Sequence, residues 1–91
     1  MKVQNIESNN GNKIANQFVI TDDQNNKYFQ SYNSIIVKID GYYRDKIYLD
    51  QKYWNYSNTT GKYRNIFLDE NINETKKKIK SGEYKLVNLN D

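Results

Sequence analysis

Eleven carboxylates are the chain's whole stock of groups for acid–base chemistry near neutral pH, because its 91 residues include neither histidine nor cysteine. That absence excludes Ser-His-Asp and Cys-His nucleophile systems, zinc-thiolate sites and disulfides. A paired-carboxylate hydrolase would still need two carboxyls converging in a cleft with their pKa values driven apart. Instead, nearly all of Glu7, Asp22, Asp23, Asp40, Asp45, Asp50, Asp69, Glu70, Glu74, Glu83 and Asp91 fall at predicted turns or helix ends, where a carboxylate serves as a solvated cap. Asp22-Asp23 and Asp69-Glu70 have the ligand type for magnesium, but neither has EF-hand spacing or a phosphate-binding loop beside it. The expectation is a protein that is not an enzyme, with no catalytic residues, no metal and no cofactor.

The other chemistry on offer is contact. Tyr42, Tyr43, Arg44, Tyr53, Trp54, Tyr56, Lys62, Tyr63 and Arg64 interleave rings with cations. This composition stacks unpaired bases and neutralises their phosphates, and it is equally the composition of protein–protein hot spots. Trp54 and Tyr56 can instead plug a joint between sheet and helix, leaving Lys62 and Arg64 as the exposed part of that stretch. Tyr42, Tyr43 and Arg44 lie in a predicted loop without apolar periodicity and are the better contact candidates. Lys76, Lys77, Lys78, Lys80 and Lys85 crowd the stretch 76–85. Three successive lysines on a helix fan over roughly 200°, so they cannot all face one phosphate, but Lys76 and Lys80, spaced i, i+4, lie on one side. They read as a solvated helix end or as a contact with nucleic acid or an acidic protein surface. The partner-binding candidates are therefore Tyr42, Tyr43, Arg44, Lys62, Arg64, Lys76 and Lys80.

The length suits one domain with a thin core, since a chain this short buries only roughly 60 to 65% of the surface it exposes when unfolded. Hydrophobic residues make up 36%, and the nine tyrosines among them must keep their hydroxyls wet or bonded. Net charge +3 and a pI near 9.0 favour acidic partners. No apolar run approaches the roughly 20 residues that span a bilayer, and the N-terminus lacks a signal-peptide apolar region, so a cytoplasmic protein is expected.

Residues 1–12 read as coil or a short pairing segment before the Asn9-Asn10-Gly11 turn signal, and 13–91 as a single α+β domain. Lys13–Thr21 and Lys27–Tyr32 form a hairpin about the Asp22–Asn26 turn. Its second arm continues through Asn33–Ile39, with Asn33-Ser34 a bulge or bend. After the Asp40-Gly41 turn, Lys46–Asp50 completes an antiparallel meander of three to four strands. Thr59 or Thr60 caps a helix through Leu68, with Tyr63, Ile66 and Phe67 as its apolar stripe. Asn71 or Asn73 caps a second helix, Glu74–Lys80, stopped by Gly82. The two short helices cover the sheet, and Tyr84–Leu89 returns to the sheet edge as a strand.

Several segments resemble a family of small proteins encoded by bacterial phages and mobile elements. They are Gln17–Ile20, Tyr28-Phe29-Gln30-Ser31-Tyr32 with Asn33–Ile36, Tyr53-Trp54-Asn55-Tyr56-Ser57-Asn58-Thr59-Thr60-Gly61-Lys62-Tyr63-Arg64-Asn65, and Gly82-Glu83-Tyr84. The resemblance spans roughly residues 14–90 and is strongest in the Phe-Gln-Ser-Tyr strand and the Trp-x-Tyr-Ser-x-Thr-Thr segment. This chain departs from it at Asn55, where an aspartate is expected, and in the long Gly41–Asp45 insertion. The family is a domain of unknown function, so no catalytic residues carry over. What the resemblance implies is a phage protein acting stoichiometrically on host machinery. The expected function is inhibition of a host defence nuclease in the manner of anti-CRISPR proteins, by binding a Cas protein or its guide-RNA complex in the infected host's cytoplasm. The alternative is a phage accessory protein that binds single-stranded nucleic acid through its Tyr/Lys/Arg surface.

Overall fold

β-branched and aromatic residues at alternating positions, interrupted by Asn/Asp/Gly clusters, build a sheet first and leave the helices to the second half. The computed structural model describes all residues, 1–91. It contains strands β1 (Lys2–Glu7), β2 (Lys13–Thr21), β3 (Lys27–Ser31), β4 (Ser34–Ile39) and β5 (Ile47–Asp50), helices α1 (Asn58–Leu68) and α2 (Ile72–Ser81), and strand β6 (Tyr84–Val87). The strands form one six-stranded sheet in sequence order. Every pair is antiparallel except β5 with β6, which the α1–α2 crossover makes parallel. The α+β meander with two C-terminal helices is thus the observed architecture, with more strands than expected.

Two segments account for the extra strands. Residues 2–7, expected to be mostly coil, pair with β2 from Lys2↔Thr21 to Asn5↔Phe18 and again, past a bulge, at Glu7↔Lys13. Only Ile6 of β1 is buried, so this edge strand is held by its ladder with almost no apolar face to betray it. The arm expected to continue from Lys27 to Ile39, with only a bulge or bend at Asn33-Ser34, is in fact a tight hairpin turning at Tyr32-Asn33. Tyr32 sits at φ 55, the left-handed region that turns usually assign to Gly, Asn or Asp, so the first turn position carries no turn signal and Asn33 alone marks the site. A bulge follows: Phe29 faces Val37 and Gln30 faces Ile35, leaving Ile36 unopposed. Ile36 and Val37 are consecutive yet both fully buried, because the extra residue re-aims the strand.

Both helices lie on the sheet face that carries Phe29. Phe67 of α1 stacks on Phe29 at 5.7 Å, and Thr60 Oγ1 lies 2.9 Å from Ser31 Oγ. The buried apolar core is Ile6, Phe29, Ile36, Val37, Leu49 and Tyr84. Each contributes on the order of 2 kcal/mol of burial, so the core is as thin as the length dictates. α1 is capped by Ser57, whose Oγ accepts from the Thr60 amide at 3.1 Å, two or three residues earlier than expected. The reason is that Thr60, expected as a cap, spends its hydroxyl on Ser31 in the interior. Ile66, assigned to the apolar stripe, is 54% exposed; the helix instead buries Thr60, Gly61 and Arg64. α2 follows the expectation: Asn71 and Glu74 make a reciprocal capping box, and Gly82 ends the helix at φ 85.

Past β6 the chain crosses the end of β5. The Asn90 side chain accepts from the Ile35 amide at 2.6 Å and donates to the Ile35 carbonyl at 2.8 Å. One side chain thereby stands in for the ladder partner that β4 lacks where β5 stops.

Candidate functional site

The seven candidate contact residues do not form one surface. Arg64 is 1% exposed and is corrected from contact residue to interior residue. Its Nη1 donates to the Trp54 carbonyl at 2.7 Å and to Asn55 Oδ1 at 3.1 Å, and its Nη2 donates to Asn65 Oδ1 at 2.9 Å. The guanidinium carbon lies 5.4 Å from the Trp54 ring. Nε has no partner, and no carboxylate pairs with the group. Burial therefore lowers the guanidinium pKa, an effect that the field of Glu70 opposes. The side chain ties the turn after β5 to α1, which is the joint expected of the aromatic residues. Trp54 is half-buried there, as expected, but Tyr56 is 47% exposed, its ring edge-on to Tyr53 at 5.4 Å.

Strand register divides the remaining candidates. β3 runs from Lys27, near the β2–β3 turn, to Ser31, which meets the start of α1. The 40–46 loop joins β4 to β5 at the Lys27 end, whereas Lys62, exposed on the first turns of α1, borders the β1–β2 turn at the opposite end. Lys76 and Lys80 are exposed on α2, whose C-terminal end faces Asp45 and Lys46 across a groove of about 330 Å³. Lys78, between them, is committed elsewhere. Its Nζ donates to Glu70 at 2.7 Å, and Glu70 also accepts from the Tyr84 hydroxyl at 2.8 Å and from Thr75 Oγ1 at 2.5 Å. Burial works to raise the Glu70 pKa, but these three bonds outweigh it and hold the carboxyl below its ordinary value. Burial and the same carboxylate push Tyr84 up to about 12, and the bond to Glu70 raises Lys78.

Tyr42, Tyr43 and Arg44 are exposed on a well-tied loop. Asp40 Oδ1 accepts from the Tyr42 and Tyr43 amides at 2.9 and 2.8 Å, and Lys46 closes the loop by donating its amide to the Tyr43 carbonyl at 2.9 Å. Gly41 packs against the β2–β3 turn so closely that a Cβ would lie 2.4 Å from the Gln24 carbonyl oxygen, so no other residue fits. Tyr42, 83% exposed, and Tyr43 meet edge to face at 4.6 Å, and Lys46 Nζ sits 4.5 Å from the Tyr43 ring.

A further constellation was not expected from the sequence. On the sheet face away from the helices, the register aligns Val3, Ile20, Tyr28, Lys38, Tyr48 and Lys85 in one row across all the strands. Lys38 Nζ lies 6.0 Å from the Tyr28 ring, and the Tyr28 hydroxyl donates to Asp22 at 3.0 Å. The signal was available: these residues are out of phase with the buried Phe29, Val37 and Leu49, and period-2 alternation sends them to the other face.

Most carboxylates sit in turns and caps, but Glu7 lies in β1, and Glu70, expected as part of a turn, is withdrawn from water among Lys78, Thr75 and Tyr84. Besides Asp40 and Glu74, Asp22 bonds the Gln24 and Asn26 amides, and buried Asp50 bonds those of Lys52, Tyr53 and Leu89. No three of the acidic side chains converge as a metal site, and no helix is long and apolar enough to cross a membrane.

No curated protein and no solved structure matches the chain. A family model does match, over residues 1–84, which takes in the sheet through β5, both helices and the first residue of β6. By that match the chain belongs to a family of unknown function, DUF8033.

Proposed function

We propose that this protein acts by stoichiometric binding, as a phage-encoded inhibitor of a host defence nuclease of the anti-CRISPR type. The observation that carries the binding part is the Tyr42-Tyr43-Arg44 loop. Two tyrosines and an arginine project from a loop pinned by Asp40 and Gly41, and neither ring is needed by the core. Large rings and a guanidinium on a rigid support are the make-up of interface hot spots, and the prior ordering of the loop lowers the entropy lost on docking. Lys46, at the foot of the loop, adds positive charge for the acidic or nucleic-acid-bearing surfaces such an effector presents. The nuclease identity of the target rests on the resemblance to small phage proteins. The test is co-purification of the tagged protein with Cas effectors, together with a cleavage assay at excess protein. Retention and loss of cleavage, both weakened at least tenfold by Tyr42→Ala with Arg44→Ala, are the expected results. Unchanged cleavage across the effectors of a host sinks the reading.

A further inference from the structure

We propose that the sheet face opposite the helices is a binding platform for single-stranded nucleic acid, with Tyr28 and Tyr48 stacking bases and Lys38 and Lys85 taking phosphates. The inference is independent of the inhibitor reading, which uses the loop. In the central row, ring and ammonium alternate over four adjacent strands, Tyr28, Lys38, Tyr48 and Lys85. Adjacent strands lie about 4.8 Å apart, so the two rings are separated by roughly 10 Å with a cation between them. Two bases can therefore lie on the rings while the backbone joining them passes Lys38.

Two features favour this occupant. The row contains no carboxylate, and none of its lysines is ion-paired; the ion pairs in the molecule are Met1 with Asp23 and Lys78 with Glu70. The nearest carboxylates are engaged or leave the lysines unpaired. Asp22 holds the β2–β3 turn and the Tyr28 hydroxyl, Asp40 holds the loop amides, and Asp50 holds the amides of Lys52, Tyr53 and Leu89. Asp45 and Glu83 line a groove with Tyr48 and Lys85 without pairing with Lys85. The ammonium groups on this face are thus free to meet a polyanion. Shape decides between single and double strands. A duplex groove admits a helix or a two-stranded ribbon, not a six-stranded sheet, whereas open sheet faces carrying aromatic rings are an established way to splay and stack unpaired bases. The nucleic-acid alternative drawn from the sequence thereby moves from the loop and α1 to the sheet.

Fluorescence anisotropy of labelled oligo-dT and oligo-U, about 12 nucleotides long to span the sheet, tests the site at low and moderate salt. The intact protein is expected to bind at least one of them, with affinity falling as salt rises. Tyr48→Leu and Tyr28→Leu should each weaken binding about tenfold or more. Lys38→Gln with Lys85→Gln should weaken it and flatten the salt slope, while Lys62→Gln changes nothing. Circular dichroism and a urea midpoint establish that each variant is folded. The DNA and RNA arms identify the sugar, and binding in either supports the site. The proposal is overturned by failure of the intact protein to bind either oligomer at low salt. It is equally overturned by unchanged binding in folded sheet-face variants, by preference for the duplex, or by sedimentation showing that a second copy of the chain covers the face.

Discussion

Glu70 and Arg64 are both charged and both withdrawn from water, and the protein treats them in opposite ways. The Glu70 side chain, 3% exposed, receives an ammonium and two hydroxyls, so its charge is neutralised and its oxygens are saturated. Arg64, 1% exposed, meets only neutral oxygens, from Trp54, Asn55 and Asn65, and keeps one donor unpartnered. A buried ion without a counter-ion is expensive unless several dipoles point at it. The first site therefore uses charge pairing to pin α2 to β6, and the second uses hydrogen-bond geometry to pin the β5–α1 turn to the helix. The second arrangement leaves an electrostatic vacancy that the first has filled.

The comparison breaks most severely at Arg64. Arg64→Ala removes three hydrogen bonds, opens a void beside Trp54 and strands the Trp54 carbonyl, at about 4 kcal/mol. For a domain whose total stability is of order 5–15 kcal/mol, the urea midpoint should fall by about a quarter or more. At the paired site, Glu70→Gln should cost about 2 kcal/mol, because Lys78, at 34% side-chain exposure, can turn to water once released. The same variant alters the pH profile. Glu70 has a folded-state pKa below its unfolded value, so its contribution is present above roughly pH 4.5 and is lost as pH falls through the folded value. Lys78 and Tyr84 are raised on folding, so their contributions are complete below their unfolded values near 10 and are lost as pH rises beyond them. Urea midpoints measured across pH should show shallower slopes at both extremes in Glu70→Gln; part of the acid slope remains, because Asp50 is also lowered against the opposing effect of its burial, by amide bonds from Leu89 and Tyr53. The smallest effect sharpens the comparison. Asn55→Asp puts a carboxylate where Asn55 Oδ1 already meets Nη1 at 3.1 Å, and it should raise stability by about 1 kcal/mol at neutral pH. The gain should disappear below about pH 4, as the new carboxylate is protonated; a flat response would mean that Arg64 is indifferent to counter-charge.

The residue expected at position 55 from the resemblance is that aspartate, yet the role of Arg64 stayed hidden in the sequence. A lone arginine between Tyr63 and Asn65 reads as surface, and only the three-dimensional return of the 54–55 carbonyl and amide makes it interior. The parts of the fold that were legible are those whose signals are local: β-branched runs in β2 and β4, the Asn71–Glu74 capping box and the Gly82 stop. The parts that were not are those decided by a partner. β1 shows one buried apolar residue and is a strand because β2 offers it a ladder. Tyr32 turns the β3–β4 hairpin without the composition of a turn residue. The Tyr42–Arg44 loop was readable as exposed because nothing periodic surrounds it. Period-2 alternation was enough to send Tyr28, Lys38, Tyr48 and Lys85 to one face, but their alignment in a single row required the registers of four strands.

The parallel β5–β6 pair and the Asn90 bonds to Ile35 set an order of assembly. Strands β1 to β5 each neighbour their predecessor in the chain, so their contacts close short loops quickly. β6 closes a crossover that contains both helices, and the Ile35–Asn90 contact joins positions 55 residues apart, so both carry a larger loop-closure cost and are expected to form late. Contacts closed that late contribute little to the rate-limiting barrier and mainly oppose escape from the native state. The terminal clasp therefore governs how long the folded molecule lasts more than how fast it forms.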